Sequence, residues 1–510
     1  MEQKKLKAPI YSNECIFNNS AEIPIDVDFS LPDYCPDINK ILKCKAVSRI
    51  ASKGINGRNL TVDGSVTVTV IYCDGEQKVN AYEYQYPFSK TFETGIEIDT
   101  ATVKCKTKCE YINCRAVTGR KIDIHGAAGV YIKVNKRKCT DVITDFDDSD
   151  IELLRGSIPA TLPMGCAEKY VIMEEELKTG DSQPPVYSLI RYDSAVTVKE
   201  SKLIAGKAVV KGELIVTVLY CSEDGSFQTV RANIPFSQML EIEGITDSCE
   251  CETKSDIAYL EIKPRVGASG EAKSFQLNAK IHICCESFCN NDVDIVLDAY
   301  SRKYQADIIK DDICFNKIKK NITECFSCKK SLDFNENSIS KIIDLWSDAK
   351  TESVKCSDNI LYAKGVVTAY IIACNSAGET EFYEKPVEFE YKYDLNESIK
   401  GITCEPQIEV SSCSYNLISD KSLELRVELC INAAVYSCNN VKLITDVKTD
   451  ENKKICEKSD GAMTIYFADS GENIWDIARK YKAKLSEIKQ INEIEEEILQ
   501  ENKMIMIPIN

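Results

Sequence analysis

Histidine is almost missing from this sequence: His125 and His282 are the only two in 510 residues. That scarcity argues against wall-hydrolase chemistry built on a Cys–His pair or a His-ligated zinc. Long apolar runs are missing too. No stretch reaches the roughly 18 residues that read as a membrane-spanning helix. The opening Met1-Glu-Gln-Lys-Lys-Leu-Lys-Ala-Pro-Ile10 carries positive charge with no apolar segment behind it, so no secretory leader is expected. Positive charge is in the minority. With 63 Lys and Arg against 80 Asp and Glu, the formal net charge is −17. Such a surface repels phosphate backbones, so nucleic acid is not an expected partner. The densest basic stretch, Lys133-Val-Asn-Lys-Arg-Lys138, is short and reads as a solvated strand end.

Catalytic and metal motifs are incomplete wherever they begin. Gly206-Lys207 is followed by Ala208, and Ser201 stands where a phosphate-binding loop has its first Gly. Asp145-Phe-Asp-Asp-Ser-Asp150 opens like a calcium loop but puts Asp150 where Gly is needed and Gly156 where Glu is needed. Gly267-Ala-Ser-Gly270 lacks the last spacing of a nucleophile elbow. Cys325-Phe-Ser-Cys328, the one C-x-x-C, has no second pair to make a zinc ribbon. His282 and Cys284 share a strand face, but a core or edge histidine is the simpler reading. The expectation is a protein that is not an enzyme, with no cofactor and no metal site.

What the chain does have is cysteine, 25 in all, an odd number that cannot all pair internally. Many sit in apolar strand-like stretches, such as Cys73 in Val-Ile-Tyr-Cys and Cys221 in Val-Leu-Tyr-Cys. In a large cytosolic chain that favours small buried packing residues over disulfides, with cross-linking in an assembly as the alternative.

A repeat organises the rest. Gly lies nine residues before Cys in Gly64/Cys73, Gly212/Cys221 and Gly365/Cys374, and a Phe follows each Cys by fifteen residues: Phe88, Phe236, Phe389. Further on, Ile122, Phe275 and Leu423 each precede an Asp by 23 residues: Asp145, Asp298, Asp446. The three copies recur at domain-sized intervals, so they read as three units of one fold, not as a solenoid of short repeats. Within a unit the pattern is β. Val66-Thr-Val-Thr-Val70 is β-branched throughout, Tyr82, Tyr84, Tyr86 and Phe88 alternate, and Asp-Gly or Ala-Gly turns lie between. The fold predicted is mainly β: three tandem β-sandwich or barrel-like repeat domains over 1–150, 151–300 and 301–456.

The pattern changes after Cys456. Met463-Thr-Ile-Tyr-Phe467 reads as a strand. Ile474, Ile477, Ala478 and Tyr481 then fall on one helix face that Asn473 caps. Leu485, Ile488 and Ile491 mark a second helix, and Met504-Ile-Met-Ile-Pro508 a closing strand. This small α+β (βααβ) unit, 463–510, resembles a LysM domain through Gly471, Ile474, Trp475, Ile477, Ala478, Tyr481, Leu485, Ile488, Asn492, Lys503, Ile505, Ile507 and Pro508. Where that family usually has Gly-Asp-Thr, this chain has Gly471-Glu-Asn473. The resemblance implies a groove for N-acetylglucosamine chains or a protein partner, formed by Gly471, Glu472, Asn473, Ile474, Asn492, Glu493 and Ile494.

The three larger units, with Leu31-Pro-Asp-Tyr-Cys-Pro-Asp-Ile-Asn-Lys-Ile-Leu42, the Gly-x8-Cys strand and the Pro-Phe step, resemble SPOCS domains. The second and third copies lack the Leu-Pro-Asp opening, and the third has Glu388 in place of Pro. Tandem SPOCS domains ending in LysM resemble the SipL-like family of clostridial spore-coat assembly proteins. That resemblance implies a non-enzymatic scaffold in the mother-cell cytoplasm, at the forespore surface and spore coat. Its implied partner, through the LysM part, is a coat morphogenetic ATPase of the SpoIVA kind or another coat protein. The alternative function is binding of peptidoglycan glycan chains in the cell or spore envelope.

Overall fold

The computed structural model describes residues 5–98, 101–146, 148–204, 206–246, 249–268, 270–334, 338–357, 359–395, 402–404, 406–455 and 463–508. The first module contains β1 (Lys5–Ser30), β2 (Lys40–Asn56), β3 (Asn59–Cys73), β4 (Val79–Glu93), β5 (Thr102–Ala116) and β6 (Lys121–Phe146). The second contains β7 (Ile151–Lys178), β8 (Val186–Ile204), β9 (Lys207–Ser222), β10 (Phe227–Glu241), β11 (Glu250–Val266) and β12 (Ala272–Ser301). The third runs through β13 (Tyr304–Asp333), β14 (Ile339–Ser357), β15 (Ile360–Asn375), β16 (Thr380–Asp394), the short β17 (Ile402–Cys404), β18 (Gln407–Ser419) and β19 (Ser422–Lys454). The chain closes with β20 (Met463–Ala468), α1 (Ile474–Tyr481), α2 (Leu485–Ile491) and β21 (Lys503–Pro508). The fold is mainly β, with one small α+β unit at its C-terminal end.

Each module is a sandwich of two antiparallel sheets. One is a meander, β2-β3-β4 in the first module; in the other, β6 lies between β1 and β5. The same two sheets recur as β8-β9-β10 with β7-β12-β11, and as β14-β15-β16 with β13-β19-β18. Alternation along the strands turns the apolar side chains of both sheets inward. In the first module Val66, Val68 and Val70 of β3 meet Ile122, Ile124 and Val130 of β6 in one core.

The repeat markers acquire a cause here. The meander puts each marker Gly opposite its marker Phe: Gly64 with Phe88, Gly212 with Phe236, Gly365 with Phe389. The Phe ring lies over the space a Cβ would fill. A side chain there would also collide with a carbonyl of the neighbouring strand, that of Arg49, Thr197 or Lys350. A β-bulge adjoins the Gly in all three modules, at Ile50/Ser52, Val198/Glu200 and Thr351/Ser353. The hairpin turns differ from the sequence expectation in one copy. Gly225 and Gly378 take positive φ, but in the first module the left-handed residue is Gln77, not Gly75. Asp74 compensates by accepting from the backbone of Glu76 and Lys78 at 2.9 and 3.0 Å.

The modules are not separate beads. Three apolar clusters each take residues from all three. In one, the bulge residues Leu42, Ile190 and Ile343 meet Ile71, Leu219 and Ile372, which occupy matching positions of β3, β9 and β15. In the others, the distal halves of the long strands converge: Val142, Ile295 and Leu443 in one, Ile143, Val296 and Ile444 in the next. Equivalent residues meeting in threes define a quasi-threefold axis. This explains strands of 26–33 residues in β1, β6, β7, β12, β13 and β19. On β6, β12 and β19 one half of the strand builds its own sandwich and the other half builds the axis.

Charge knits the same region. Arg191, 6 % exposed, is bonded to Asp344 of the third module at 2.8 Å and to Asp193, and it lies 4.4 Å over the Trp346 ring. Lys45 of the first module reaches Asp193 at 2.8 Å. Burial pushes the Asp193 carboxyl up, but the Arg191 and Lys45 charges outweigh it and hold it at about 2.

Cysteine departs in part from the packing expectation. Cys249–Cys289 and Cys325–Cys430 are disulfides, with Cα separations of 4.4 and 4.1 Å across paired or neighbouring strands. Cys35, Cys73, Cys221 and Cys285 are buried thiols, as expected.

Candidate partner-binding module

The C-terminal unit is held by short, local devices. Asn473 caps α1, its side chain accepting from the Trp475 amide at 2.8 Å, and Lys482 ends the helix in the left-handed region. Ile474, Ile477, Ala478 and Ile488 form its core with Ile505 and Ile507. Asn492 is a buried clamp. Its amide nitrogen donates to the carbonyls of Ile488 and Met506 at 2.8 Å each, and its oxygen accepts from the Met506 amide at 2.7 Å.

The two loops of the expected groove lie side by side. Asn473 bridges to Ile498, the Gly471 amide donates to the Leu499 carbonyl at 2.8 Å, and the Ile474 amide donates to the Glu497 carbonyl at 3.0 Å. Gly471 has φ +93, a conformation that suits a residue without a Cβ. The side chains of these loops are largely occupied inside the unit. Glu472 accepts from the Tyr466 hydroxyl at 2.9 Å and the Asp469 amide at 3.1 Å, and this bond pushes the Tyr466 phenol pKa up. Asn473 and Asn492 are engaged as described, and Ile474 and Ile494 are buried. Glu493, with φ 52, is exposed.

One face of the unit is uncovered among the described residues. The outward residues of the β20–β21 pair are apolar: Phe467 is 76 % exposed, Ile465 56 %, Met504 50 % and Met463 46 %. Phe467 pairs with Met504 and Ile465 with Met506, so these side chains form one continuous strip.

A different side docks on the second module. The Trp475 indole N–H donates to Asp298 at 3.0 Å, and the Arg479 guanidinium reaches the same oxygen at 2.6 Å. The Tyr300 hydroxyl donates to the Ala483 carbonyl at 2.6 Å, and its ring lies 4.9 Å from that of Trp475. Burial acts to raise the Asp298 pKa, but Lys310, Trp475 and Arg479 together hold it below the usual carboxylate range. In the sequence Asp298 is a spacing marker without a role. Its counterpart Asp145 pairs with Arg155 of the next module at 2.6 Å, as Asp298 pairs with Lys310 at 2.9 Å. In the first two copies the marker is thus an inter-module link, and Asp298 also carries the C-terminal unit. The signal available in the sequence was the Trp–Arg spacing on one face of α1.

The residues weighed for catalysis and metal binding lie outside this unit. His125 is exposed between Asp26 and Asp123. Cys325 is in a disulfide, so it does not pair with Cys328. Of the calcium-like run, Asp145 is engaged by Arg155, Asp150 lies 3.7 Å from Arg302, and Asp147 lies outside the described residues. Ser269 of Gly267–Gly270 also lies outside them. No described helix is long and apolar enough to cross a membrane.

Two segments of the chain, residues 37–117 and 185–264, match the family model described as SipL, SPOCS domain. They cover β2–β5 of the first module and β8 to most of β11 of the second, so the chain carries SPOCS-type domains in tandem. The third module repeats their two-sheet arrangement. No curated protein matches the chain, and no solved structure does.

Proposed function

We propose that this protein is a non-enzymatic scaffold of spore-coat assembly, in which the tandem SPOCS modules form a rigid body and a LysM-type unit recruits it to the forespore surface. The observation that carries the reading is the pairing of that body with a docked unit whose apolar strip, Ile465, Phe467 and Met504, stays open. A contiguous exposed apolar strip marks a protein-binding surface more often than a sugar groove. The expected partner is a coat morphogenetic ATPase of the SpoIVA kind.

A fluorescent fusion in sporulating cells of the native host tests this. A shell around the forespore, lost in an Ile465→Ser/Phe467→Ser variant that still folds, is the expected result. A diffuse signal, or one at the vegetative wall, would reject the scaffold. Co-sedimentation with purified sacculi, unaffected by those two substitutions, would favour the glycan-binding alternative.

A further inference from the structure

Sulfur, carboxylate and imidazole groups gather where the first and second modules meet, away from the C-terminal unit. Cys166 and Glu168 project from one face of β7, and His282 and Cys284 from one face of β12, because residues two apart in a strand share a face. Glu168 is the direct cross-strand partner of Cys284, and Tyr170 that of His282. The sulfurs of Cys166 and Cys284 are 3.6 Å apart, and the Cys284 sulfur is 4.0 Å from a Glu168 oxygen. All three donor atoms lie within 4.8 Å of one another. In a tetrahedral zinc site with Zn–S about 2.3 Å and Zn–O about 2.0–2.2 Å, the ligand edges are about 3.8 Å for S···S and about 3.5 Å for S···O. The Cys166–Cys284 edge and the Cys284–Glu168 edge match this to within about half an ångström.

The surroundings fit as well. His282 bonds the second Glu168 oxygen at 3.0 Å, and Lys53 of the first module bonds the first at 2.5 Å. Two thiolates, one carboxylate and a divalent cation sum to a single negative charge, which the Lys53 ammonium neutralises. A small hollow lined by Glu252, Lys254 and Glu286 lies beside Cys284.

We propose that Cys166, Cys284 and Glu168 bind a thiophilic divalent cation of the zinc class, with His282 and Lys53 as the outer groups that fix Glu168. The two sulfurs select zinc over magnesium or calcium. Each thiol gives its proton to solvent as its metal–sulfur bond forms, so binding releases two protons and tightens as pH rises. Because Lys53 belongs to β2 and the ligands to β7 and β12, the ion reinforces the contact between the two modules.

The test uses the full chain, purified anaerobically, stripped with a chelator and titrated with cobalt(II) and then zinc. One equivalent of cobalt is expected to give a thiolate-to-metal charge-transfer band that zinc abolishes. Cys166→Ser and Cys284→Ser should remove the band, and exposed Cys139→Ser should leave it intact. His282→Ala should keep the band while weakening affinity about 10–100-fold, as outer-shell losses do. This variant keeps the test decisive even where a serine variant misfolds. Absence of a band, a band indifferent to both serine variants, or a Cys166–Cys284 disulfide in the anaerobic protein would each overturn the proposal.

Discussion

Gly64, Gly212 and Gly365 are fixed by what lies above and beside them, a Phe ring and a carbonyl oxygen. Gly64→Ala is therefore expected to destabilise the protein by about 1–3 kcal/mol, the usual cost of overpacking. Urea unfolding would measure it, and an unchanged midpoint would show that the ring and strand give way freely. The Gly–Phe pairing was legible as a spacing, but its cause was not, because spacing along the chain does not say which strands are neighbours. Asp298 makes a second residue-level prediction. Its pKa is lowered in the folded state, so the docking it supports is fully present above the ordinary carboxylate pKa of about 3.9 and fades as pH falls through the lower folded value. In a Trp346→Phe background, Trp475 emission should hold steady down to about pH 4 and shift red below it. Asp298→Asn should remove that transition, since the amide does not titrate.

At the scale of elements, the C-terminal unit was read closely from its sequence. A capped helix, an i, i+3, i+4 apolar face and two short strands are local signals, and local signals survive without tertiary information. Asn473→Ala should cost about 1 kcal/mol, the ordinary value of an N-cap. Asn492→Ala should cost more, since it leaves the Met506 amide and carbonyl without their side-chain partner and takes one of two donors from the buried Ile488 carbonyl. Thermal unfolding of the two variants gives the order, and equal midpoints would contradict the clamp. The long strands were not legible. Residues 122–134 of β6 alternate and face their own sandwich, whereas Val142, Ile143 and Phe146 near the end of the same strand face the two other modules. Periodicity identifies an apolar face but not what covers it. The loop residues of the expected groove posed a related problem: a resemblance supplied their positions, whereas the hydrogen bonds of Glu472 and Asn492 needed coordinates.

At the scale of the whole molecule, the axis is where stability and organisation meet. Arg191→Met would leave the largely buried Asp344 without its counter-charge and the part-exposed Asp193 with Lys45 alone, an expected loss of at most about 3–5 kcal/mol. Small-angle scattering should then show a more expanded particle, and an unchanged profile would mean that the apolar contacts alone hold the modules. The first module expressed alone exposes Leu42, Ile71, Val142 and Ile143, which the intact chain covers. It should self-associate in analytical ultracentrifugation, and a clean monomer would show that the axis is dispensable. The repeat count was readable from the sequence, whereas the closure of the repeats around an axis was not. The residues that make it, Lys45, Arg191, Asp193 and Asp344, lie in three different copies.

Matching positions around that axis have drifted apart: Lys43, Arg191 and Asp344 stand at one and the same bulge in the three modules. Three separate identical chains could not be arranged this way, since any one of these residues repeated three times would face its own charge. Joining the copies in one polypeptide lets each take a different part, and it fixes their order. It also gives the body a direction, because the Asp298 and Tyr300 seat is filled in a single copy. A lattice built from such bodies would have one attachment point for every three modules, so the density of its anchors would be set by the gene and not by the concentration of parts.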